Sequence, residues 1–513
     1  MKCRWFSWPF WALAAAGFAL SLPYLDTCGD DAFIYFRMVE NFLRTGQLAY
    51  NPGEPCYAMT SATFFFTLAG LVKVLGLTGG RYAISLLGHA LAAALLFGLG
   101  RRLVRDRRVL LVALAAILFD PFYLRWFWAG WEMSFKIAVA AGALWTLLAA
   151  GERGGARWGF GAGLVAGIAF LTRPEMMYLA GLGGVYLAVR RLPGRISSSV
   201  PTLLAYGAGL ALVAGPWLAF AHSYFGWALP HTIYAKAGGF ASWNYLRQYL
   251  PKFLQIFFIP ALPFYAWATA SALGVRPLSA WRRAASAGTL PDLRDWGLVA
   301  LWAATVAGYL VRGVYIDGIK VGLFSPFAIL ALAAVGDAAR QLRNRVWKRR
   351  TVWAWLLALG LLSVGLQARL FYRYSSWNPR YAQGDDARFI DFAKRVKALT
   401  PPDARIGIAE LGVVGYYSSR YMIDFVGLST PEIVAYQLET GSRAEAVARY
   451  YERHGGPPSH VVHEFPFSPE CAPPEYDFWG YRYRLLDTER VRRISGRAKS
   501  GEYSIYALYE RAP

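Results

Sequence analysis

Three carboxylates stand within six residues, directly after the first apolar run: Asp26, Asp30 and Asp31. Apolar side chains at helical spacing follow over residues 32–44, so Asp31 is in place to cap that helix. One cap accounts for one carboxylate, and carboxylates at the mouth of a membrane span are costly unless something there uses them. The pair therefore predicts chemistry, because such a carboxylate can take a proton from an acceptor hydroxyl.

Further polar side chains recur between the later apolar runs. They are Glu132, Arg173, Glu175, His231, Tyr234, Lys236, Asp317 and Lys320. Each alone has an ordinary explanation, such as a helix cap, a snorkelling cation or a loop histidine. Together they predict one polar site on one side of a membrane. Arg and Lys can bind a phosphate there, Arg through a bidentate fork and Lys as a point charge.

The absence of nucleotides on the outer side of a membrane limits the reactions that such a site could catalyse. No nucleotide is supplied there, so an activated donor would be a lipid phosphate held in the bilayer. The chain contains no Walker loop, no G-x-S-x-G elbow and no H-E-x-x-H pair. Glycosyl transfer from a lipid-linked sugar fits the remaining possibilities.

The elements that position these residues are mostly membrane helices. The chain has 513 residues, 56% of them hydrophobic and 17% charged, and long apolar runs fill its first seventy per cent. This composition predicts a polytopic α-helical membrane protein. The net charge of +22 could indicate a nucleic-acid partner. The Lys and Arg residues, however, fall mostly in short loops between apolar runs, which is the positive-inside pattern, so no nucleic-acid partner is predicted.

The basic loops also predict the topology. The first run, residues 5–25, is too long for a signal peptide and lacks a cleavage site, so it is a retained span. The arginines of residues 101–108 fall inside only if residues 61–77 do not cross. That segment is therefore predicted as an interfacial or re-entrant helix, and residues 82–103 as the second span. The next predicted spans are 109–123, 131–150, 158–171, 176–189 and 200–220.

About eleven spans result, and they place the remainder of the chain outside. The predicted units are a transmembrane domain, 1–370, with an outer loop at 26–80, and an extracytoplasmic α/β domain, 371–513. Charged residues, prolines and short β-type runs replace the long apolar runs in the second unit. Its predicted helices are 388–399 and 444–454, and its predicted strands are 405–409, 460–464 and 503–509.

Several motifs in order resemble those of the GT-C glycosyltransferases, in particular the bacterial terminal arabinofuranosyltransferases and related polyprenyl-phosphate-sugar transferases. The motifs cover residues 30–34, 50–54, 172–175, 230–236, 412–417 and 423–428. Three places depart from the family pattern. His231 stands where Asn is expected, residues 129–133 replace a Gly-Leu-Glu-Thr run, and residues 316–318 replace a Gly-Gly-Asp-Trp run. These departures bear on the sugar and the acceptor more than on the reaction class.

The resemblance implies a GT-C-like fold and an inverting transfer. A single sugar would move from a polyprenyl-phosphate donor to a hydroxyl of a glycan, lipid or protein, on the outer face of a bacterial inner membrane. Asp30 is expected to be the general base, with Asp31 as its orienting partner or an alternate base. Arg173 and Lys236 are expected to bind the donor phosphate. The remaining expected substrate-binding residues are Glu132, Glu175, His231, Tyr234, Asp317 and Lys320.

Two other classes stay open at this point. A transporter or flippase for lipid-linked sugars would favour paired halves and charges at mid-membrane, and neither is seen in this sequence. A catalytically silent membrane protein that binds a surface glycan would use the same groove. A divalent cation as cofactor is also open, as is a disulfide between Cys28 and Cys56.

Overall fold

The computed structural model describes residues 8–191, 200–235, 259–272, 325–342, 379–466, 472–492 and 503–512, with short pieces at 283, 295, 297–299, 354, 358, 361–366 and 369. Three expected site residues, Lys236, Asp317 and Lys320, lie outside these residues. So do the predicted boundary at 370/371 and most of the ninth predicted span, 296–311, whereas most of the tenth, 321–335, is described.

The helices in the first part of the chain follow the apolar runs. They are α1 (Trp8–Ser21), α2 (Asp30–Thr45), α3 (Ala62–Leu103), α4 (Arg107–Leu118), α5 (Pro121–Phe127), α6 (Met133–Arg153), α7 (Ala156–Thr172), α8 (Met176–Arg191), α9 (Val200–Phe225), α10 (His231–Ala235), α11 (Ile259–Ala272) and α12 (Ser325–Leu342). Within the described residues, α3, α6 and α9 are long and apolar enough to cross a membrane, and the helices 156–172 and 176–190 are shorter apolar ones. The count of eleven spans remains a prediction.

Helix α3 is two helices divided at Gly76. Gly76 has a φ of +71°, a left-handed conformation that favours glycine. A Cβ on Gly80 would lie 2.7 Å from Val72 Cγ2 and 2.9 Å from Val72 N. Residues eight apart in one straight helix would be about 12 Å apart, so the chain folds back here. The break agrees with the predicted division between residues 61–77 and 82–103.

The predicted span 109–123 is also divided. Helix α4 ends at Leu118, and α5 begins at Pro121. Proline disfavours helical geometry in the residue before it, which here is Asp120. The predicted single helix is therefore wrong at this point, and the chain turns before α5.

A mixed six-stranded sheet forms the C-terminal domain, which we define as the described residues from Pro379 to Ala512. Its helices are α13 (Pro379–Leu399), α14 (Gly412–Ser418), α15 (Pro431–Thr440) and α16 (Arg443–Arg453), and its strands are β1 (Arg405–Ile408), β2 (Tyr421–Asp424), β3 (His460–Pro466), β4 (Glu475–Phe478), β5 (Tyr481–Arg492) and β6 (Tyr503–Arg511). The strand order is β2-β1-β3-β6-β5-β4. Strand β1 pairs in parallel with β2 and β3, and the other pairings are antiparallel. The predicted C-terminal sheet domain is confirmed.

One hydrophobic core joins the first loop, residues 26–60, to the C-terminal domain. Phe33 and Phe36 of α2 pack in the same buried cluster as Phe392 of α13, Ile406 of β1 and Leu508 of β6. Burial of this much apolar surface stabilises the contact strongly. The first loop, which includes helix α2, is therefore packed firmly against the C-terminal domain.

Candidate functional site

Helix α2 begins at Asp30, and its N-cap is Gly29, which has an extended backbone and no side-chain cap. Both acidic residues thus lie in the first turn, where negative charge is favourable. The predicted cap at Asp31 is wrong, since the helix starts two residues earlier than the apolar pattern indicates. The side chain of Asp31 is exposed, whereas that of Asp30 is half-buried and turned towards the C-terminal domain.

The Asp30 carboxyl is held by the backbone of helix α14. Oδ1 accepts the N–H of Val413 at 2.7 Å, and Oδ2 accepts the N–H of Gly412 at 3.1 Å. A Cβ on Gly412 would lie 2.0 Å from the Asp30 carbonyl oxygen, so a glycine is required for this approach. Asp30 therefore has a capping role of its own. It caps a helix that lies some 380 residues further along the chain.

The environment of Asp30 moves its titration towards neutral pH. Burial raises the pKa of Asp30 from its ordinary 3.8 to about 7, with smaller contributions from the charges of Asp31 and Asp386. The two N–H bonds from helix α14 oppose that rise, because they favour the charged form. Asp30 therefore changes charge in the range where a general base is most effective.

Arg37, seven residues or about two turns after Asp30, holds the other end of helix α14. Its guanidinium donates to the carbonyl oxygens of Gly415 and Arg420, at 2.8 Å for Arg420, and to that of Tyr50 at 3.0 Å. The guanidinium also lies 4.3 Å from the centre of the Tyr50 ring. This buried arginine was not predicted as a site residue.

Asn51 binds the edge strand of the sheet. Its side-chain oxygen accepts the N–H of Met422 at 3.1 Å, and its amide nitrogen donates to the carbonyl of Met422 at 2.8 Å. Tyr421 donates through its hydroxyl to the Glu54 carboxylate at 2.7 Å. The 50–54 motif thus serves to dock the two parts of the chain.

Three expected site residues meet in a second cluster, which we call the Arg173 cluster: Glu132, Lys136, Arg173 and Glu175. Arg173 lies 2.5 Å from Glu132 Oε1 through Nη1 and 3.2 Å from Glu175 Oε1 through Nε. Lys136 Nζ lies 2.5 Å from the same Glu175 oxygen. Burial alone would raise the pKa of Glu175, but Arg173 and Lys136 together lower it well below its usual value.

The Arg173 cluster contains two positive and two negative side chains, so its formal charges balance. The guanidinium expected to bind a phosphate is paired instead with both carboxylates expected to shape the sugar pocket. Glu132 occupies the N-cap position of α6 but makes no capping hydrogen bond, which excludes the simple cap interpretation. Lys136 was missed, although a lysine inside a predicted span was the available signal.

Hydrogen bonds through Thr60 link the Arg173 cluster to helix α2, which carries Asp30. The Tyr35 hydroxyl of α2 lies 3.1 Å from Thr60 Oγ1, and Thr60 Oγ1 lies 3.0 Å from Arg173 Nη1 and 3.2 Å from Glu132 Oε1. Helix α2 therefore carries the Asp30 carboxyl at its start and, five residues later, is linked through Thr60 to the Arg173 cluster.

His231 is fully buried between the first loop and the C-terminal domain. Its Nδ1 lies 3.1 Å from the carbonyl of Leu428, so Nδ1 carries the proton and donates, and its backbone N–H donates to Tyr57 at 3.1 Å. Burial lowers the pKa of His231 to about 4. Tyr234 is half-buried, with its ring 4.6 Å from that of Trp227.

The structure also bears on the possible disulfide and on the possible metal site. Cys28 and Cys56 are free thiols, so the disulfide does not form in this structure. Among the residues that the structure describes, no group of three His, Cys, Asp or Glu side chains is placed to bind a metal ion.

Comparisons with known proteins agree with this architecture. Residues 58–219 match the family model for dolichyl-phosphate-mannose-protein mannosyltransferases, and residues 378–506 match a domain family of unknown function, DUF8728. No curated protein matches the sequence.

Solved structures share the fold at low sequence identity. ArnT from Cupriavidus metallidurans, bound to undecaprenyl phosphate, matches with a TM-score of 0.55 and 12% identity over 97% of each chain. The oligosaccharyltransferase AglB from Archaeoglobus fulgidus, in complex with an inhibitory peptide and a dolichol-phosphate, matches with a TM-score of 0.51 and 13% identity over 89% of this chain and 69% of that one. The family-model match over residues 58–219 and the shared fold confirm the resemblance found in the motifs, which is to membrane glycosyltransferases of the GT-C type.

Proposed function

We propose that this chain transfers a single sugar from a polyprenyl-phosphate donor to a hydroxyl group of a glycan, lipid or protein, with inversion at the anomeric carbon. The observation that carries the proposal is the Asp30 carboxyl, which two backbone N–H groups orient and which titrates near neutral pH. The solved ArnT and AglB structures contain undecaprenyl phosphate and dolichol-phosphate, which supports the donor class.

In the proposed step, Asp30 takes the proton of the acceptor hydroxyl. The hydroxyl oxygen forms a bond to the anomeric carbon as the bond from that carbon to the phosphate oxygen breaks. The polyprenyl phosphate leaves with the bonding electron pair, and Asp30 later releases the proton to solvent. Asp31, exposed beside it, is the orienting partner or the alternate base.

The ion pairs of the Arg173 cluster bear on which residues bind the donor phosphate. Lys236 keeps its proposed contact with the donor phosphate. Arg173 is held by Glu132 and Glu175, so a phosphate would have to compete with two buried carboxylates for it. We therefore propose that Arg173 acts mainly by fixing these carboxylates beside the sugar. Tyr234, Asp317 and Lys320 keep their proposed substrate contacts. His231 is fully buried, so its proposed role is to shape the sugar pocket without touching the sugar.

We further propose that the site faces the outer side of a bacterial inner membrane. The arginine clusters of the predicted inner loops support this orientation. Leu438 on α15 is exposed, so Leu438→Cys in a background without Cys3 and Cys471 gives a reporter for the C-terminal domain. Labelling by a membrane-impermeant maleimide in spheroplasts is the expected result, and protection until lysis would contradict the orientation.

The direct test is turnover by the purified protein in nanodiscs. A panel of polyprenyl-phosphate sugars would be offered with hydroxyl acceptors, with and without EDTA to decide whether a divalent cation is needed. We expect transfer from one donor class, with release of polyprenyl phosphate, and none from Asp30→Asn. Translocation of donors without transfer would favour the flippase, and binding without turnover would favour the silent glycan binder.

A further inference from the structure

The C-terminal domain contributes both hydrogen-bond donors that hold the candidate base, although its family has no assigned function. We infer that this domain serves the transfer reaction as a positioning element: the N–H groups of Gly412 and Val413 orient the Asp30 carboxyl, and the domain sets the protonation of that group. The inference rests on the proposed function, and it gives the domain a task other than carbohydrate recognition.

The hydrogen bonds fix the rotation of the carboxyl group. Each oxygen of Asp30 accepts one N–H, at 2.7 Å from Val413 and at 3.1 Å from Gly412. A carboxylate has about four lone-pair directions, so each oxygen can still accept another proton or hydrogen bond. The arrangement therefore orients the carboxyl while leaving it able to receive the acceptor's proton.

Helix α14 is itself fixed on α2 at both ends. Asp30 binds its first N–H groups, and Arg37 binds the carbonyls of Gly415 and Arg420 at its far end. Asp30 and Arg37 are seven residues apart, about 10 Å along α2, which matches the length of the seven-residue helix α14. The two helices thus run side by side in one direction, and a shift of either would break both attachments.

The C-terminal domain also places charge beside the base. Asp386 of α13 accepts the backbone N–H of Cys28 at 3.2 Å, two residues before Asp30. The titratable groups around Asp30 are Asp31 on its own helix, Asp386 on α13, and Cys28 and Tyr50 of the first loop. Burial and the two carboxylates raise the pKa of Asp30, whereas the N–H bonds from Gly412 and Val413 lower it. Loss of one N–H should therefore leave the base protonated at neutral pH.

Val413→Pro and Val413→Ala form a matched pair that tests this. Both remove the buried valine side chain, but only proline deletes the N–H, and proline is tolerated in the first turn of a helix. We expect the acid limb of the pH–rate profile to move to higher pH by about one unit in Val413→Pro. In Val413→Ala the limb should stay at the wild-type position.

Asp386→Asn supplies a second measurement that does not alter helix α14. Removing this negative charge should move the acid limb in the opposite direction, to lower pH. Asn51→Ala is the control for looser docking, because it breaks the contact with Met422 without touching Asp30. The acid limb of the pH–rate profile of Asn51→Ala should stay at the wild-type position, whatever stability this variant loses.

The outcomes separate the inference from the proposed function. An unchanged acid limb in both Val413→Pro and Asp386→Asn, with transfer by the wild type and none by Asp30→Asn, would overturn the inference alone. If Val413→Pro does not fold, an unmoved limb in Asp386→Asn is sufficient to overturn it. Absence of transfer by the wild type, or normal transfer by Asp30→Asn, would instead overturn the proposed function.

Discussion

Helix α2 carries the Asp30 carboxyl and is linked through Tyr35 and Thr60 to the Arg173 cluster, yet the carboxylates of the two sites have opposite surroundings. Asp30 has uncharged backbone donors as its partners, and its pKa rises to about 7. Glu175 has Arg173 and Lys136 as partners, and its pKa falls well below the usual value. Backbone donors orient a carboxyl group and leave its charge variable, whereas ion pairs fix the charge. The backbone donors around Asp30 suit proton transfer, whereas the ion pairs of the Arg173 cluster suit a rigid side of the sugar pocket.

The largest effect is expected from removing the carboxyl group of Asp30, whose charge changes with pH. Asp30→Asn should lower single-turnover transfer by roughly 10²–10⁴-fold, the usual contribution of a positioned base. Asp31→Asn is the matched control: its side chain is exposed and lies in the first turn of α2 rather than at its N-cap, so thermal stability in detergent should stay within about 0.5 kcal/mol of wild type. Near-normal transfer by Asp30→Asn together with loss in Asp31→Asn would exchange the two roles.

Removing a fixed charge should instead cost stability. Arg173→Met leaves Glu132 without its cation and Glu175 with Lys136 alone, and breaking a buried pair in this way typically costs about 3–5 kcal/mol. Unfolding in detergent measures the loss. The double variant Arg173→Met/Glu132→Gln should recover part of it, because the second change removes the stranded carboxylate. Wild-type stability of Arg173→Met would show that the cluster is not a structural unit.

The two sites should also differ in their response to pH. Transfer should fall about tenfold per pH unit below about pH 7, as Asp30 gains a proton and can no longer act as a base. Stability should change in the other direction. An acid with a raised pKa binds its proton more tightly when folded, so its contribution is full below pH 3.8 and is lost as pH rises through about 7.

The measurement is a pH series of single-turnover rates and of unfolding midpoints. Asp30→Asn should abolish its share of the pH dependence of stability over this range, whereas Glu175→Gln should leave that share unchanged, because Glu175 stays ionised throughout it. Equal pH slopes in wild type and Asp30→Asn would contradict the neutral titration of Asp30.

The smallest effect is expected at His231, an uncharged residue at the same interface. Its neutral ring donates one hydrogen bond to Leu428, and the family pattern has Asn at this position. His231→Asn keeps a donor but shortens the side chain, so we expect a stability loss of about 1 kcal/mol. His231→Leu removes the donor and should lose more. Equal stability of the two variants would show that the Leu428 hydrogen bond contributes nothing.

Local patterns in the sequence were sufficient for the class and for many elements. Membrane helices and, in the C-terminal domain, helices α13 and α16 and strands β1, β3 and β6 follow from apolar periodicity, whereas α14, α15, β2, β4 and β5 were not predicted. The break near Gly76 follows from the placement of the arginines of residues 101–108. The polar residues between the apolar runs also placed Glu132, Arg173 and Glu175 in one predicted site, and these three residues do meet. Their pairing with one another could not be predicted, because a motif carries residue types but no partners.

The capping of helix α14 by Asp30 could not be predicted from local sequence patterns, for a different reason. Its partners, Gly412 and Val413, lie about 380 residues away, and they bind through backbone N–H groups that are the same in every non-proline residue. Arg37 was missed likewise, because its partners are mainly carbonyl oxygens. Lys136 alone carried a readable signal, a charge within an apolar run.

The contact of Asn51 with Met422 has a consequence for the sheet as a whole. Strand β2 is an edge strand, and the Asn51 amide pairs with the N–H and the carbonyl of Met422 as a neighbouring strand would. Arg37 covers the carbonyl of Arg420 just before that strand. An uncovered edge is a template for pairing with another chain. The first loop therefore protects the sheet from self-association, and a C-terminal domain expressed without it should tend to aggregate through β2.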